Sequence, residues 1–389
     1  VAKACSKRKN NSSSGPHRIT YSLIELIKDT NLGREFIHDI ARNLEGQIRV
    51  PDQHRTMTMV LIPKLSKDRT RVKRWRPMDT VGKLGEKVMA DRLQRHTVLF
   101  HHLQYGSRTN RSATDTMMIM TSITPKETER GNIVTKLGKD MVSAFNNLRK
   151  SRLLALFCDN NLEKEMEFCR DFLHTKEFQI SWDMEERGKT MMDDSTLQGS
   201  PLSPILWLIY IGSTLKRAER RCDNIVPSLR RVSPKLPNPP VRTISVFLIN
   251  YADDFNLVIV TKACSVQEKR KVSEEVDRIL EEEGAADDLT WDPAKASGIE
   301  FGRGKDSTTT LGIRITSSLS WKEHINIRTE KAKKIFKIMT RLGNSNGGIS
   351  PAAMRNLYTG MVRPIFTWGA ELWNGPHTNT NITEMERIE

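Results

Sequence analysis

The sequence predicts an α+β fold, on three observations. Residues 248–260 read LINYADDFNLVIV, an apolar run, two adjacent aspartates and a second apolar run. Both flanks are rich in Val, Ile, Leu and Phe, and they read as strands buried in a sheet. Helical apolar spacing recurs elsewhere, over Val81–Arg95 and again over His324–Leu342. The 389 residues suffice for a large core divided among two or three subdomains. Asp253 and Asp254 pose the chemical question. Ionised carboxylates repel each other and are costly to bury unpaired. A hairpin tip exposes them, and a divalent cation accepts their oxygens as ligands.

Composition narrows the partners. Lys and Arg number 62 against 47 Asp and Glu, a net charge of +15. A field of that sign favours a polyanion such as nucleic acid, or an anionic membrane face. Five cysteines (Cys5, Cys158, Cys169, Cys222 and Cys264) are scattered and form no C-x-x-C pair. That pattern speaks for a reducing compartment and against a disulfide framework or a zinc site. No apolar run approaches the ~20 residues of a membrane span; the most apolar segment, Pro204–Ile211, is far too short. The chain opens on Val1 and a basic polar stretch without an apolar core, so no signal peptide is expected and a fragment is.

The elements follow in order. Residues 1–14 are polar and basic, expected to be flexible. Helical spacing starts near Tyr21 and runs through Leu26, and Met57–Pro63 reads as a strand. Lys64–Pro77 interleaves seven cations with Trp75 and reads as a hairpin or loop that presents charge to phosphates. In the amphipathic helix over Val81–Arg95, Leu84, Val88 and Leu93 are core positions. Asn132–Met141 is a strand by position but a poor one by composition. Leu153–Phe157 and Leu162–Leu173 read as helix, and Phe178–Trp182 with Lys189–Met192 as a hairpin. The turn Leu197–Pro204 leads into an apolar helix, Ile205–Leu215. Lys216–Arg242, with its PKLPNPP run, reads as a basic loop of polyproline character. Val272–Glu283 is an acidic amphipathic helix, and Thr310–Ile315 a short strand. In the helix His324–Leu342, Ala332, Ile335, Phe336, Met339 and Leu342 form the core stripe and Lys334, Lys337 and Arg341 a basic one. A helix pair runs from Pro351 to Trp373.

Two-metal phosphoryl transfer needs a further carboxylate from a neighbouring strand, to bridge ions about 4 Å apart. Asp140 is the candidate, 113 residues before Asp253 and followed by Met-Val-Ser-Ala-Phe145. At that point the order of motifs resembles the reverse transcriptase of non-LTR (LINE-like, I/jockey/Tad-type) retrotransposons. Ile62-Pro63-Lys64, Trp75-Arg76-Pro77, Leu84-Gly85-Glu86, Asp91-Arg92-Leu93 and Gln104-Tyr105-Gly106 with Arg111-Ser112 are similar to its early motifs. Asp140–Phe145, Gln198–Pro204 and Tyr251–Asp254 are similar to its catalytic motifs. Pro293-Ala294-Lys295, Leu311-Gly312, Trp321–His324, Val362–Pro364 and Trp368–Trp373 are similar to its late motifs, on the C-terminal side of the catalytic ones.

The resemblance implies a right-hand polymerase: fingers over 1–79, a palm with an antiparallel sheet over 80–316 including a basic Pro-rich insertion near 216–242, and thumb helices over 317–389. It implies RNA-templated DNA synthesis with Mg²⁺ or Mn²⁺ on Asp140, Asp253 and Asp254. Lys64 and Arg76 would neutralise the triphosphate. Phe145 would exclude a ribose 2′-hydroxyl, and Gln198 and Gly199 would meet the incoming nucleotide. Lys295 would donate a proton to pyrophosphate, while Lys334, Lys337 and Arg341 would track the duplex backbone. The implied partners are an RNA template, a DNA primer or target DNA, and dNTPs. No membrane partner is implied, and the location is intracellular and nuclear.

The chain departs from this pattern in places. Asn146 and His17 stand where many relatives have Asp, and Lys136-Leu137-Gly138-Lys139 where they have a buried apolar strand. Lys and Gly are unfavourable in a central strand. No endonuclease segment precedes the motifs, although full elements of this type carry one, so the expectation is a fragment or remnant. Two other readings stand beside the enzyme: a catalytically decayed nucleic-acid-binding remnant, and a group II intron maturase-like RNA-binding protein.

Overall fold

The computed structural model describes residues 21–46, 57–63, 75–79, 83–142, 147–174, 176–182, 185–192, 200–224, 244–262, 266–302, 306–343 and 347–373. In chain order the elements begin with α1 (Tyr21–Ile27), α2 (Asn31–Leu44), β1 (Met57–Pro63), β2 (Trp75–Asp79) and α3 (Lys83–Leu93). Next come α4 (Ala113–Glu129), β3 (Asn132–Asp140), α5 (Lys150–Cys158), α6 (Glu163–Phe172), β4 (Lys176–Trp182), β5 (Glu185–Met192) and α7 (Ser203–Asp223). Then come β6 (Ile244–Tyr251), β7 (Asp254–Lys262), α8 (Val266–Ala286), β8 (Ser297–Glu300), β9 (Ser307–Thr310) and β10 (Ile313–Thr316). The last helices are α9 (Lys322–Thr340), α10 (Pro351–Leu357), a π-helical turn (Tyr358–Val362), α11 (Arg363–Phe366) and α12 (Ala370–Trp373).

Two compact units share the chain. One takes Val1–Asn110, Met141–Arg220 and Arg278–Trp291; the other takes Arg111–Asp140, Arg221–Asp277 and Asp292–Glu389. The first holds a sheet of order β2-β1-β4-β5, in which β1 lies antiparallel to β2 and parallel to β4. Its core centres on α7. Residues 205–212 are buried without a break, which is what a helix apolar on every side requires.

The second unit holds the sheet of order β6-β7-β3-β8, antiparallel throughout. Strand β7 is buried from Phe255 to Thr261, as expected for an apolar run between two partners. Helix α4 packs on β3. It begins on a capping box, with the Ser112 hydroxyl on the Asp115 N–H and the Asp115 carboxylate on the Ser112 N–H. Helix α9 carries a small second core, in which Ala332, Met339, Val362 and Phe366 are buried beside Ile335 and Leu357.

Several expectations need correction. Residues 216–223 continue α7 rather than forming loop, because Leu215, Ala218 and Cys222 keep an apolar face at helical spacing. The strand expected over Thr310–Ile315 is a hairpin instead, with Leu311 and Gly312 as a two-residue turn, both at positive φ (51° and 76°). Phe336 and Leu342 are exposed at 42% and 51%, so the core stripe of α9 is narrower than its apolar spacing. Val88 is only half-buried, whereas Leu93 is fully buried. Helices α2 and α4 are additions to the sequence-based elements, although Ser112-x-x-Asp115 is a start signal.

Candidate active site

The end of the second unit's sheet collects the acidic residues. Asp140 closes β3, and its register partner across the ladder is Asp254, the first residue of β7. Directly opposed residues on antiparallel strands hold their Cβ atoms about 5 Å apart. Asp253 occupies the two-residue turn between β6 and β7, whose closing pair is Tyr251 and Asp254. Residues 114 positions apart in sequence are thus neighbours.

The turn is strained. Ala252 has a φ of 57°, in the left-handed region where a Cβ is penalised. Buried Asn250 holds the turn, donating from Nδ2 to the Ala252 carbonyl at 3.0 Å and to the Asp254 carbonyl at 3.2 Å. An Asn between Ile249 and Tyr251 in an apolar strand is the sequence signal for this role.

Charge follows from the geometry. Burial pushes the Asp254 carboxyl up to about 6, with Asp253 and Asp140 adding to the rise and Lys136 and Lys295 opposing it. Lys295 sits in a 3₁₀ turn, Pro293–Lys295, and its ammonium pairs with the Asp140 carboxylate. That hydrogen bond raises the Lys295 pKa above its ordinary value. The turn is tied to β3, with the Asp292 N–H on the Asp140 carbonyl at 2.9 Å.

The residues that look misplaced in β3 all have partners. Lys136 is 1% exposed, and its ammonium donates to the Thr310 hydroxyl at 2.6 Å. Burial lowers its pKa to about 8. A Cβ at Gly138 would collide with the Ser297 hydroxyl of β8 and come 3.2 Å from the Lys136 ammonium. Glycine is therefore the residue that lets β8 and the lysine side chain share that face. Lys139 pairs with Asp277.

In the first unit, motifs far apart in sequence are joined. The buried Ser200 hydroxyl, just past Gln198 and Gly199, donates to the Glu86 carboxylate at 2.6 Å and accepts from the Leu202 N–H at 3.0 Å. Gln104 donates to the Leu208 carbonyl at 3.0 Å. Asp287 accepts from Thr214 at 2.5 Å and from Arg217 at 2.6 Å.

Of the other expected site residues, Lys64, Phe145, Gln198 and Gly199 lie outside the described residues. Arg76 sits in β2 opposite Ile62, with only its strand position described. Lys334, Lys337 and Arg341 are all exposed on or just beyond α9.

Among the described residues, the trio whose metal-ligating atoms fall within 4.8 Å of one another is His101, His102 and Glu219, not the three aspartates. The chemistry of that trio favours a histidine–carboxylate contact. His101 Nδ1 accepts the Leu103 N–H at 3.3 Å, which leaves the ring proton on Nε2, the atom that faces Glu219 at 3.2 Å. Burial lowers the His101 pKa to about 3, so the ring is neutral. The aspartates offer a cation more charge: Asp253 and Asp140 both raise the Asp254 pKa, and the Lys295 ammonium pairs with Asp140.

The antiparallel sheet of the second unit thus brings Asp140, Asp253 and Asp254 to one end. The model of the reverse transcriptase (RNA-dependent DNA polymerase) family matches residues 62–315, and the chain belongs to that family. Similar solved structures include telomerase from Candida tropicalis in complex with a TWJ fragment of telomeric RNA, at TM-score 0.46 and 13% identity over 95% of this chain and 59% of that one. Telomerase from Candida albicans with a TWJ fragment of telomeric RNA gives 0.44 and 12%, over 78% and 55%. Apo telomerase from C. tropicalis, truncated from its C-terminal domain, gives 0.42 and 14%, over 74% and 59%. The chain spans less than two thirds of each of these proteins. No curated protein sequence matches it significantly. Among the described residues, no helix is long and apolar enough to cross a membrane.

Proposed function

We propose that this chain is the polymerase domain of a non-LTR retrotransposon-derived reverse transcriptase and that it copies RNA into DNA. The observation that carries the reading is the register of β3 on β7, which puts Asp140 opposite Asp254 and beside the turn that bears Asp253. Asp140, Asp253 and Asp254 would hold Mg²⁺ or Mn²⁺, which supplies Lewis-acid activation of the primer hydroxyl and stabilises the leaving oxygen. Lys295 occupies the Asp140 oxygen and is protonated at neutral pH, as a proton donor to pyrophosphate must be. Arg76 and Lys64 would bind the triphosphate, Gln198 and Gly199 the nucleotide, and Phe145 would exclude ribose. Lys334, Lys337 and Arg341 would contact duplex phosphates. Fingers, palm and thumb over 1–79, 80–316 and 317–389 are part of the same proposal, as are the RNA template, the DNA primer or target, the dNTPs and a nuclear site of action.

The decayed-remnant reading loses its main support, because Lys136, Gly138 and Lys139 have partners in the fold. Primer extension on poly(rA)/oligo(dT) with Mg²⁺ tests the proposal. Wild-type synthesis that falls at least a hundredfold in Asp253→Ala, with duplex binding retained, is the expected result. No synthesis by a folded wild-type protein that still binds duplex would favour the remnant.

A further inference from the structure

Lysine is seldom fully buried unless it is paired, yet Lys136 of β3 is 1% exposed. Residues 136, 138 and 140 of a strand share one face, and so do their register partners. Lys136 lies between Val258 and Ile299, Gly138 between Asn256 and Ser297, and Asp140 beside Asp254. Rows on one face of a sheet repeat about every 7 Å.

The ammonium leaves its own row. It lies 3.2 Å from the point where a Cβ on Gly138 would stand, so the side chain runs along the strand toward the aspartates. Among the described residues its acceptor is the uncharged Thr310 hydroxyl, at 2.6 Å, and no carboxylate pairs with it. A buried ammonium without a bonded anion loses its proton unless a field holds it. Here Asp254 is the charge that opposes the effect of burial, and Lys136 in turn pulls the Asp254 pKa down. With its pKa at about 8, the group is charged at neutral pH.

The other two lysines near the aspartates differ from it. By strand alternation Lys139 lies on the opposite face of β3, where it pairs with Asp277 of α8 and its charge is cancelled locally. Lys295 pairs with Asp140 directly but is 57% exposed, so it can withdraw into solvent. Lys136 has no such exit.

We propose that Lys136 is a built-in counter-cation of the aspartate cluster, a fixed charge beneath it that weakens the hold of the bare carboxylates on divalent ions. The proposal rests on the polymerase reading, in which those carboxylates hold the metal. The lysine touches no reacting atom and acts through its field on the aspartates. Bare aspartates then take a divalent ion loosely, and an ion that arrives with the phosphate oxygens of a nucleotide is favoured.

Mn²⁺ alone is the probe, its binding followed by electron spin resonance in titrations of nucleotide-free protein. Lys136→Met keeps the length and removes the charge; Lys136→Gln also keeps a hydrogen-bonding group for Thr310. The Kd of the Mn²⁺ whose binding is lost in Asp253→Ala should fall by roughly fivefold or more in either variant, with thermal stability held or raised. Lys139→Met, on the other face of the same strand, should leave that Kd within about twofold of the wild type. A lysine that merely braced the sheet would give the opposite result, looser Mn²⁺ binding and lower stability. Unchanged or weaker Mn²⁺ binding in the variants, an equal gain in Lys139→Met, or failure of both Lys136 variants to fold overturns the proposal. If wild type and variants alike show no Asp253-dependent Mn²⁺ binding, the polymerase reading itself fails, and the proposal with it.

Discussion

Two hairpins of one unit solve the same backbone problem in opposite ways. The β6–β7 turn is Ala252-Asp253, with positive φ at Ala252, and the β9–β10 turn is Leu311-Gly312, with positive φ at both residues. The second puts glycine at one of its left-handed positions, whereas the first puts alanine at its own. The difference lies in what each turn presents. In the first, the buried Asn250 takes the backbone carbonyls of Ala252 and Asp254. In the second, the carbonyls themselves accept from side chains far along the chain, Gly312 from Arg328 and Leu311 from Trp368 Nε1. Strain at a turn persists only where the surroundings over-determine it, and the acidic hairpin is where that condition is met.

The largest expected effect comes from Asp254→Asn. Under the proposed function, in which Asp254 helps to hold the metal, synthesis should fall at least a hundredfold. Stability should rise at neutral pH. The folded pKa of Asp254, about 6, lies above its ordinary 3.8, so the folded state binds the proton more tightly. Its cost is fully present above pH 6 and fades as pH falls toward 3.8. Thermal unfolding of metal-free protein should therefore show the variant's advantage at pH 7 and little of it at pH 4. An advantage independent of pH would mean that the carboxylate is not strained by its neighbours.

Asn250→Ala is next. It removes the donor to two turn carbonyls and should cost about 2 kcal/mol in denaturant unfolding. The loss should be accompanied by faster hydrogen exchange at residues 251–255 and unchanged exchange at 311–315. Equal changes at both hairpins would dissolve the contrast between them. The smallest effect belongs to Ala252→Gly, which relieves the left-handed penalty but adds chain entropy to the unfolded state. A net gain of roughly 0.5 kcal/mol is expected. A loss of stability would show that alanine is not strained there.

Much of this fold can be read from the chain. Strand β1 coincides with its sequence boundaries, and the acidic hairpin is evident from two apolar runs around a carboxylate pair. Pairing of Asp140 with Asp254 is accessible only through the order of motifs, since nothing local in NIVTKLGKD announces a central strand. The hidden remainder is tertiary. Lys136 looks wrong by propensity because its compensation, the Thr310 hydroxyl, lies 174 residues away. Gly138 looks like a weak point because the Ser297 side chain that demands it belongs to β8. Leu311-Gly312 reads as strand because a two-residue turn leaves almost no polar signature when one member is leucine. The helical stretch after Leu215 is hidden by its run of basic residues, of which Arg217 is compensated by Glu283 and Asp287, some 70 residues further along.

The central claim is that β3 and the strained hairpin hold the metal. Fe²⁺ bound in place of Mg²⁺, with ascorbate and peroxide, cleaves a polypeptide next to its ligands. The account predicts cuts near residues 140 and 253, suppressed by excess Mg²⁺ and absent in an Asp140→Asn/Asp253→Asn variant. Cuts confined to the neighbourhood of His101, His102 and Glu219, with the segments at 140 and 253 intact, would contradict it.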